Sequence, residues 1–332
     1  MFERLVVVVG TALHFHALRF WREYVILAFA LFAFAFSGYL LLLSPPASFP
    51  TGEIIRIAPG SSLPAIASEL ASHHVIKNRF LFSVLVRIDG GASDLQAGPY
   101  RFDAPVNTFT VVRHLIIGES GIPAARVTLP EGFTAREMAK IIHARLPFIR
   151  EDDFITLATP YEGYLFPDTY FFGGESTSNI VATLRDTFNA RIAPLTPLIT
   201  TSGHSLDDVV TMASLIEREA KTPEDRRTIA GILWNRIKIG MALQVDAVFG
   251  YIYGKSAYAP TLDDLKIDSP YNTYTHQGLP PTPIGNPGLD AIEAAANPPK
   301  TAYLYYLTGI DGKMRYAKTF AEHQTNREKY LK

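Results

Sequence analysis

Residues 24–43 form a run of 20 side chains without a charge, mostly Leu, Ala and Phe, and no other feature limits the fold so sharply. At about 1.5 Å of rise per residue a helix of this length spans roughly 30 Å, the thickness of a bilayer hydrocarbon core. A signal-peptide apolar region is about 7–15 residues, so this run is too long for one. No small-x-small cleavage site follows it, and Pro45-Pro46 ends the helix. A buried core helix is the competing reading; the length of the run and its place near the N-terminus count against it. Arg19 and Arg22 precede the run, whereas Glu53 is the first charge after it and Arg56 the next. The positive-inside rule then predicts a cytoplasmic segment 1–23, a transmembrane helix 24–43 and an extracytoplasmic remainder, anchored by one pass in the cell (inner) membrane. Residues 2–18 are also rather apolar, and are expected along the inner membrane surface.

With 332 residues the chain is long enough for two domains with cores, and a net charge of −1 gives no sign of nucleic-acid binding. It has no cysteine, so disulfide and thiolate chemistry are excluded. A Pro/Ser-rich linker (44–51) leads into strand, helix, helix, strand and helix over residues 52–118, a small α+β module. A larger α+β domain, 119–332, follows. In it Thr134 and Glu137 form a capping box, and a helix over 205–220 is joined tightly to one starting at Pro223, with Gly240 as its C-cap. Those two make a helical hairpin. Residues 262–287 are rich in Pro, Tyr, Asn and Gly without helical period, and such a long irregular stretch in a compact domain is usually functional.

The helix over 205–220 carries an anomaly. Leu206, Val209, Val210, Ala213, Ile216 and Ala220 recur at helical spacing. Glu217 falls in the middle of that stripe, about 20° from Leu206 on a wheel advancing roughly 100° per residue. Burial disfavours the charged carboxylate and raises its pKa, which suits a general acid near neutral pH. The structural reading is that Glu217 pairs with a buried Arg such as Arg236, or snorkels at the helix end. Periodicity alone favours that reading.

Several stretches in order resemble the YceG-like (MltG) family of endolytic murein transglycosylases. They are Glu162-Gly163-Tyr164-Leu165-Phe166-Pro167-Asp168-Thr169-Tyr170, Ala213-Ser214-Leu215-Ile216-Glu217-Arg218-Glu219 and Leu243-Gln244-Val245-Asp246. Ser269-Pro270-Tyr271-Asn272-Thr273-Tyr274, Gly278-Leu279-Pro280-Pro281-Thr282-Pro283-Ile284 and Asn286-Pro287-Gly288 complete the set. The resemblance covers nearly everything after the apolar run, and the small module looks like the family's LysM-like domain. It implies cleavage of the MurNAc–GlcNAc bond within glycan strands without water, leaving a 1,6-anhydro-MurNAc end, with Glu217 as the catalytic acid and then base. No cofactor or metal is implied. The implied partners are peptidoglycan glycan strands, the membrane and peptidoglycan synthases.

Tyr271, Asn272, Thr273, Tyr274 and Gln277 are candidate sugar-binding donors; the alternative is a loop satisfying its own backbone. Gln244 reaches substrate or merely caps. Asp246 orients substrate or is the N-cap of a short helix over 247–253. Asp168 braces the site or closes a local turn, and Arg236 orients Glu217 or pairs with Glu219. The chain departs from the family at Val245, where Ser or Thr is common, and at Gly312, Met314, Tyr316 and Ala317, which replace a Gly-x-His-x-Phe-Ser pattern. No site is carried over from that last strand.

Two rivals remain open. A muramidase would need a second carboxylate within about 5–10 Å of Glu217, with Asp246 or Asp168 as candidates. A non-catalytic wall-binding scaffold would gain more from Leu than from Glu at position 217. The aminodeoxychorismate lyase label sometimes attached to the family is discounted, because the chain shows no Gly-rich phosphate loop for pyridoxal phosphate. The nine histidines lack metal-ligand spacing, and no Gly-x-Ser-x-Gly motif is present.

Overall fold

The computed structural model describes residues 2–331, with side chains from Trp21 onward except Ala92. The chain mixes helix and sheet and divides into two units, one ending at Ile122 and one beginning at Pro123.

The first unit opens with α1 (Phe2–Leu42). Its stretch Trp21–Leu42 is long and apolar enough to cross a membrane, with none of it buried inside the protein. The helix continues without a break through residues 2–23, of which 2–18 are expected from sequence along the inner membrane surface; the side chains before Trp21 lie outside the described residues. Strand β1 (Ile54–Ile57), helices α2 (Leu63–Ser72) and α3 (Arg79–Asp89), strand β2 (Gly98–Arg101) and helix α4 (Thr108–Ile117) follow in the predicted order. β1 and β2 pair antiparallel, Ile54 opposite Arg101 and Ile57 opposite Gly98. Ile54 and Arg56 of β1 face out while Ile55 and Ile57 are buried on Leu70, Phe82, Val86, Val111 and Leu115. Asn78 and Asn107 cap α3 and α4 by accepting from Leu81 and Thr110 N–H groups. Segment 44–51 does not hang free. Lys77 donates to Leu40 O and Ser44 Oγ, both at 2.8 Å, Thr108 N–H donates to Leu43 O, and Phe49 is buried in this unit's core.

The second unit begins with β3 (Ala125–Thr128), α5 (Ala135–Arg145) and α6 (Glu151–Ala158). β4 (Thr169–Phe172) pairs antiparallel with β3. Helices α7 (Thr177–Ile192), α8 (Thr196–Ser202), α9 (Leu206–Glu219), α10 (Pro223–Lys238) and α11 (Ala247–Tyr253) come next. They are followed by α12 (Leu289–Ala296), the antiparallel pair β5 (Tyr305–Thr308) and β6 (Met314–Ala317), and α13 (Phe320–Tyr330). The capping boxes at Thr134/Glu137 and Ser205/Asp208 form as their spacing requires, and Gly240 takes a left-handed φ of 67° just past α10. Val209, Val210, Ala213 and Ile216 are fully buried, and α12 packs along α9 with α10 against both. At about 1.5–3 kcal/mol per buried aliphatic side chain, this seam is a main source of stability for the unit. A second core, under β3, β4 and α5–α7, includes Leu165, which belongs to the segment 162–170.

Candidate active site

Glu217 sits in the last turn of α9, and its side chain is 4% exposed. Two donors hold it. Arg226 of α10 donates from Nη2 to Oε1 at 2.5 Å, and Gly288 N–H, at the N-terminus of α12, donates to Oε2 at 3.0 Å. Asp290 takes Arg226's other arm at 2.8 Å. Burial pushes the Glu217 carboxyl above its ordinary range; the Gly288 N–H and the Arg226 charge pull it back, and the neighbouring Glu131 and Asp290 charges add to the rise. The net direction is upward, so the environment favours the protonated carboxyl more than water does.

The loop 130–132 closes one side. Arg218 clamps it, donating to Gly132 O from Nε at 3.1 Å and Nη2 at 2.9 Å and to Glu137 at 3.0 Å. Gly132 has φ 75°, and a Cβ there would come within 3.2 Å of Glu217 Cγ. Glu131 lies beside Gly288: a Cβ at 288 would stand 2.0 Å from its carboxylate oxygen. Two carboxyl groups therefore flank one backbone amide.

Asn286 ties this loop to the segment 162–170. Fully buried, it accepts from Gly163 and Leu165 N–H groups at 2.8 and 3.0 Å, and donates to Phe133 O and Glu162 at 2.9 and 2.8 Å. Glu162, buried as well, also accepts from Ala135 N–H at the start of α5. Burial pushes its carboxyl up to about 7 against the opposing pull of the Ala135 and Asn286 donors. In the unfolded chain a Glu titrates near 4.3, so the folded state keeps this proton longer. Glu162's contribution to stability is full below about pH 4 and is lost as pH rises through about 7, to the extent of roughly 4 kcal/mol. Thermal melts between pH 4 and 8 will show this decline together with that of Glu219, whose carboxyl burial also pushes up to about 7, and Glu162→Gln will make the slope shallower; an unchanged slope in the variant would place the effect elsewhere.

An open cavity of about 470 Å³ lies over Glu217, walled by Glu131, Glu137, Glu219, Asp246 and Tyr258 among others. A cavity of about 410 Å³ adjoins it through Glu137, Gly250 and Ser256. Another, of about 440 Å³, adjoins it through Glu219 and Asp246. The three make a string of spaces along this unit, with the buried acid in the middle one.

The other sequence candidates divide. Asp246 is at the predicted N-cap position, but its side chain makes no cap bond; it accepts from Tyr274 OH at 2.6 Å and faces the cavities. Gln244 and Tyr274 line the third cavity. Gln244 is left-handed, φ 51°, and is held so by its N–H to Thr273 O and by Val245 N–H to Thr273 Oγ1. Val245 itself is fully buried in the core, so the departure at this position removes nothing from the cavity wall. Asn272 and Thr273, expected as sugar donors, are 0% and 1% exposed; Asn272 serves Leu265 O, Ile267 O and Tyr274 N–H. Both brace the loop rather than face substrate. Tyr271 bonds Thr282 at 2.7 Å and packs on Tyr251, and neither it nor the exposed Gln277 lines these three cavities.

Asp168 accepts from Thr169 N–H and Arg191, both at 2.7 Å, fastening α7 beside β4, and it does not line the cavity over Glu217. Arg236 does not pair with Glu217. Its guanidinium is buried on the carbonyls of Leu304 and Leu243, at 2.6 and 2.7 Å, and it acts on Glu219 only as a nearby charge. Arg226 takes the place expected for it. Sequence reasoning missed Arg226, Glu131, Gly288, Glu162 and Asn286.

The YceG-like family model matches residues 55–329. An endolytic murein transglycosylase of Bacillus subtilis strain 168 is 35% identical over 305 residues, covering 83% of this chain and 84% of that protein. An endolytic murein transglycosylase of Streptococcus pneumoniae strain D39 is 28% identical over 315 residues, 82% of this chain and 57% of that longer protein. The 2.6 Å crystal structure of a yceG-like protein from Listeria monocytogenes superposes with a TM-score of 0.58 at 32% identity, covering 82% of this chain and 98% of that one.

Proposed function

From the premise that this chain belongs to the YceG-like family, we propose that Glu217 is the acid and base of its reaction on peptidoglycan. The protein is a murein lytic transglycosylase, as its relatives are named. The observation that carries the role of Glu217 is its burial between two donors at the floor of the middle cavity.

The reaction runs on one carboxyl group. Protonated Glu217 gives its proton to the glycosidic oxygen between MurNAc and GlcNAc as the C1–O bond breaks and positive charge develops at C1. The carboxylate left behind gains strength in its bonds from Arg226 and Gly288, so the two donors favour the charge just as it forms. Glu217 then takes the proton of the sugar's own 6-hydroxyl, whose oxygen closes on C1. The 1,6-anhydro ring forms, Glu217 is protonated again, and no water is consumed. A groove of three adjoining cavities supports internal cuts, since sugars extend to both sides of the acid.

Glu131 gives a muramidase reading its best second carboxylate; Asp168 is occupied elsewhere and Asp246 lies toward the third cavity. Mass spectrometry of products from the full-length chain in detergent, acting on un-crosslinked strands, separates the readings. Anhydro ends, one water lighter, support the transglycosylase; hydrated reducing ends would overturn it. Glu131→Gln removes a like charge beside Glu217, so the descending alkaline limb of the pH–rate profile will move to lower pH. A limb that stays in place would show that Glu131 does not tune the acid.

In the same reading, residues 24–43 anchor the chain with its N-terminus in the cytoplasm and hold the catalytic unit outside the cell membrane, beside newly made glycan and its synthases. Residues 52–118, with helices α2 and α3 between the paired strands β1 and β2, are a LysM-like module. Crosslinking in cells that recovers no wall-synthesis protein would count against the synthase partnership.

A further inference from the structure

The third cavity has a wall that the chemistry above leaves unused. It is built by β5 and α13 from Tyr305, Phe320, His323 and Arg327. The Tyr305 ring stacks on His323 with centroids 5.4 Å apart, leans on Phe320 at 5.9 Å, and lies under the Arg236 guanidinium at 5.4 Å. An aromatic platform is thus fixed beside the catalytic cavity.

The polar groups of this cavity are sorted by charge. Its inner end, shared with the catalytic cavity, carries Glu219 and Asp246, which accept from Tyr306 OH at 3.0 Å and Tyr274 OH at 2.6 Å. Toward α13 stands Arg327, whose side chain makes no ion pair or hydrogen bond among the described residues. His323 Nδ1 beside it is buried without a hydrogen-bond partner. Acceptors near the acid suit sugar hydroxyls; a free guanidinium farther out suits a carboxylate.

One ligand bears both groups in that order: a sugar of the glycan strand with its peptide branch still attached. Resting on the transglycosylase reading, we infer that the third cavity is a subsite for a peptide-bearing sugar adjoining the cleaved bond, with Arg327 taking a free carboxylate of the peptide. The enzyme then selects strands that still carry their peptides over strands that have been stripped of them.

Binding tests this without depending on which bond is cut. Labelled glycan strands with intact peptides, and the same strands stripped by an amidase so that the only carboxylate left is the lactyl group on the sugar itself, are titrated with the full-length Glu217→Gln chain in detergent and followed by fluorescence anisotropy. The peptide-bearing strand is expected to bind about tenfold more tightly, a preference that shrinks at high salt. Arg327→Ala in the same background will bring the two affinities to within about twofold. Lys329→Ala, the same loss of charge on the same helix outside the cavity, will keep the preference. Equal affinities for the two strands, or a preference that survives Arg327→Ala, would overturn the subsite. Failure of the transglycosylase reading would show separately, as hydrated ends or no cleavage by the unaltered chain while the binding preference persists.

Discussion

Glu217→Gln will lower the rate of anhydro-end formation by about a thousandfold or more, because the proton donor held between two stabilising donors is lost. The substitution keeps the shape of the side chain. Its amide oxygen can still accept from Arg226 or from Gly288, while its NH₂ must face the other donor, so one bond of two is exchanged for an unfavourable contact. The expected cost to stability is about 1–2 kcal/mol, small beside the catalytic loss. Strand binding will be retained, since the cavity walls stay in place. Product analysis and anisotropy on one preparation check both halves. A variant that keeps a tenth of the activity would remove Glu217 from the acid's role, and a variant that no longer binds strands would make it a structural residue.

Asn286→Ala will have the largest effect on folding. It leaves the buried N–H groups of Gly163 and Leu165 without an acceptor, and takes one donor each from Phe133 O and Glu162, which keep the backbone N–H groups of position 286 and of Ala135. Each buried orphan costs about 1–3 kcal/mol, partly relieved by relaxation, so a total loss of about 3–5 kcal/mol is expected. With an m-value of about 2–3 kcal/mol/M in urea, the midpoint will fall by about 1–2 M. The protein has two tryptophans, and Trp234, in α10, reports this unit through its fluorescence. A midpoint within about 0.3 M of the unaltered chain would mean that water or neighbouring groups replace the Asn.

The parts of this architecture that were legible in the chain are those written in local pattern. The capping boxes, the tight joint at Thr222-Pro223 and the acid on an apolar stripe each lie within one or two turns of helix. What completes the site is not local. Arg226 sits in a charged first-turn run, Glu224-Asp225-Arg226-Arg227, that reads as a solvated face; only the packing of α9, α10 and α12 turns it inward. Gly288 contributes a backbone N–H, which no side-chain pattern displays. Glu162 and Asn286 bond across 124 positions, and neither has a neighbour in sequence that hints at the other.

Misplaced expectations have a physical reason too. Asn272 and Thr273 look like sugar donors because they are polar and lie in an irregular stretch. An irregular stretch that is buried must satisfy its backbone with side chains, and those two are used up doing so. Helix α7 was readable but passed over: Ile180, Val181, Leu184, Phe188 and Ile192 recur at helical spacing behind a Ser176 cap.

The join between α1 and the first unit has a mechanical consequence. Lys77 and Thr108 of the folded module take up carbonyl groups at the end of the apolar helix, and Phe49 plugs the connecting segment into the core. The apolar helix therefore ends in a mortise rather than a leash. In the proposed membrane-anchored state, tilting of the helix in the bilayer would be transmitted to the module as rotation of a lever, and local bilayer thickness would become a coordinate that sets how far that module stands from the lipid.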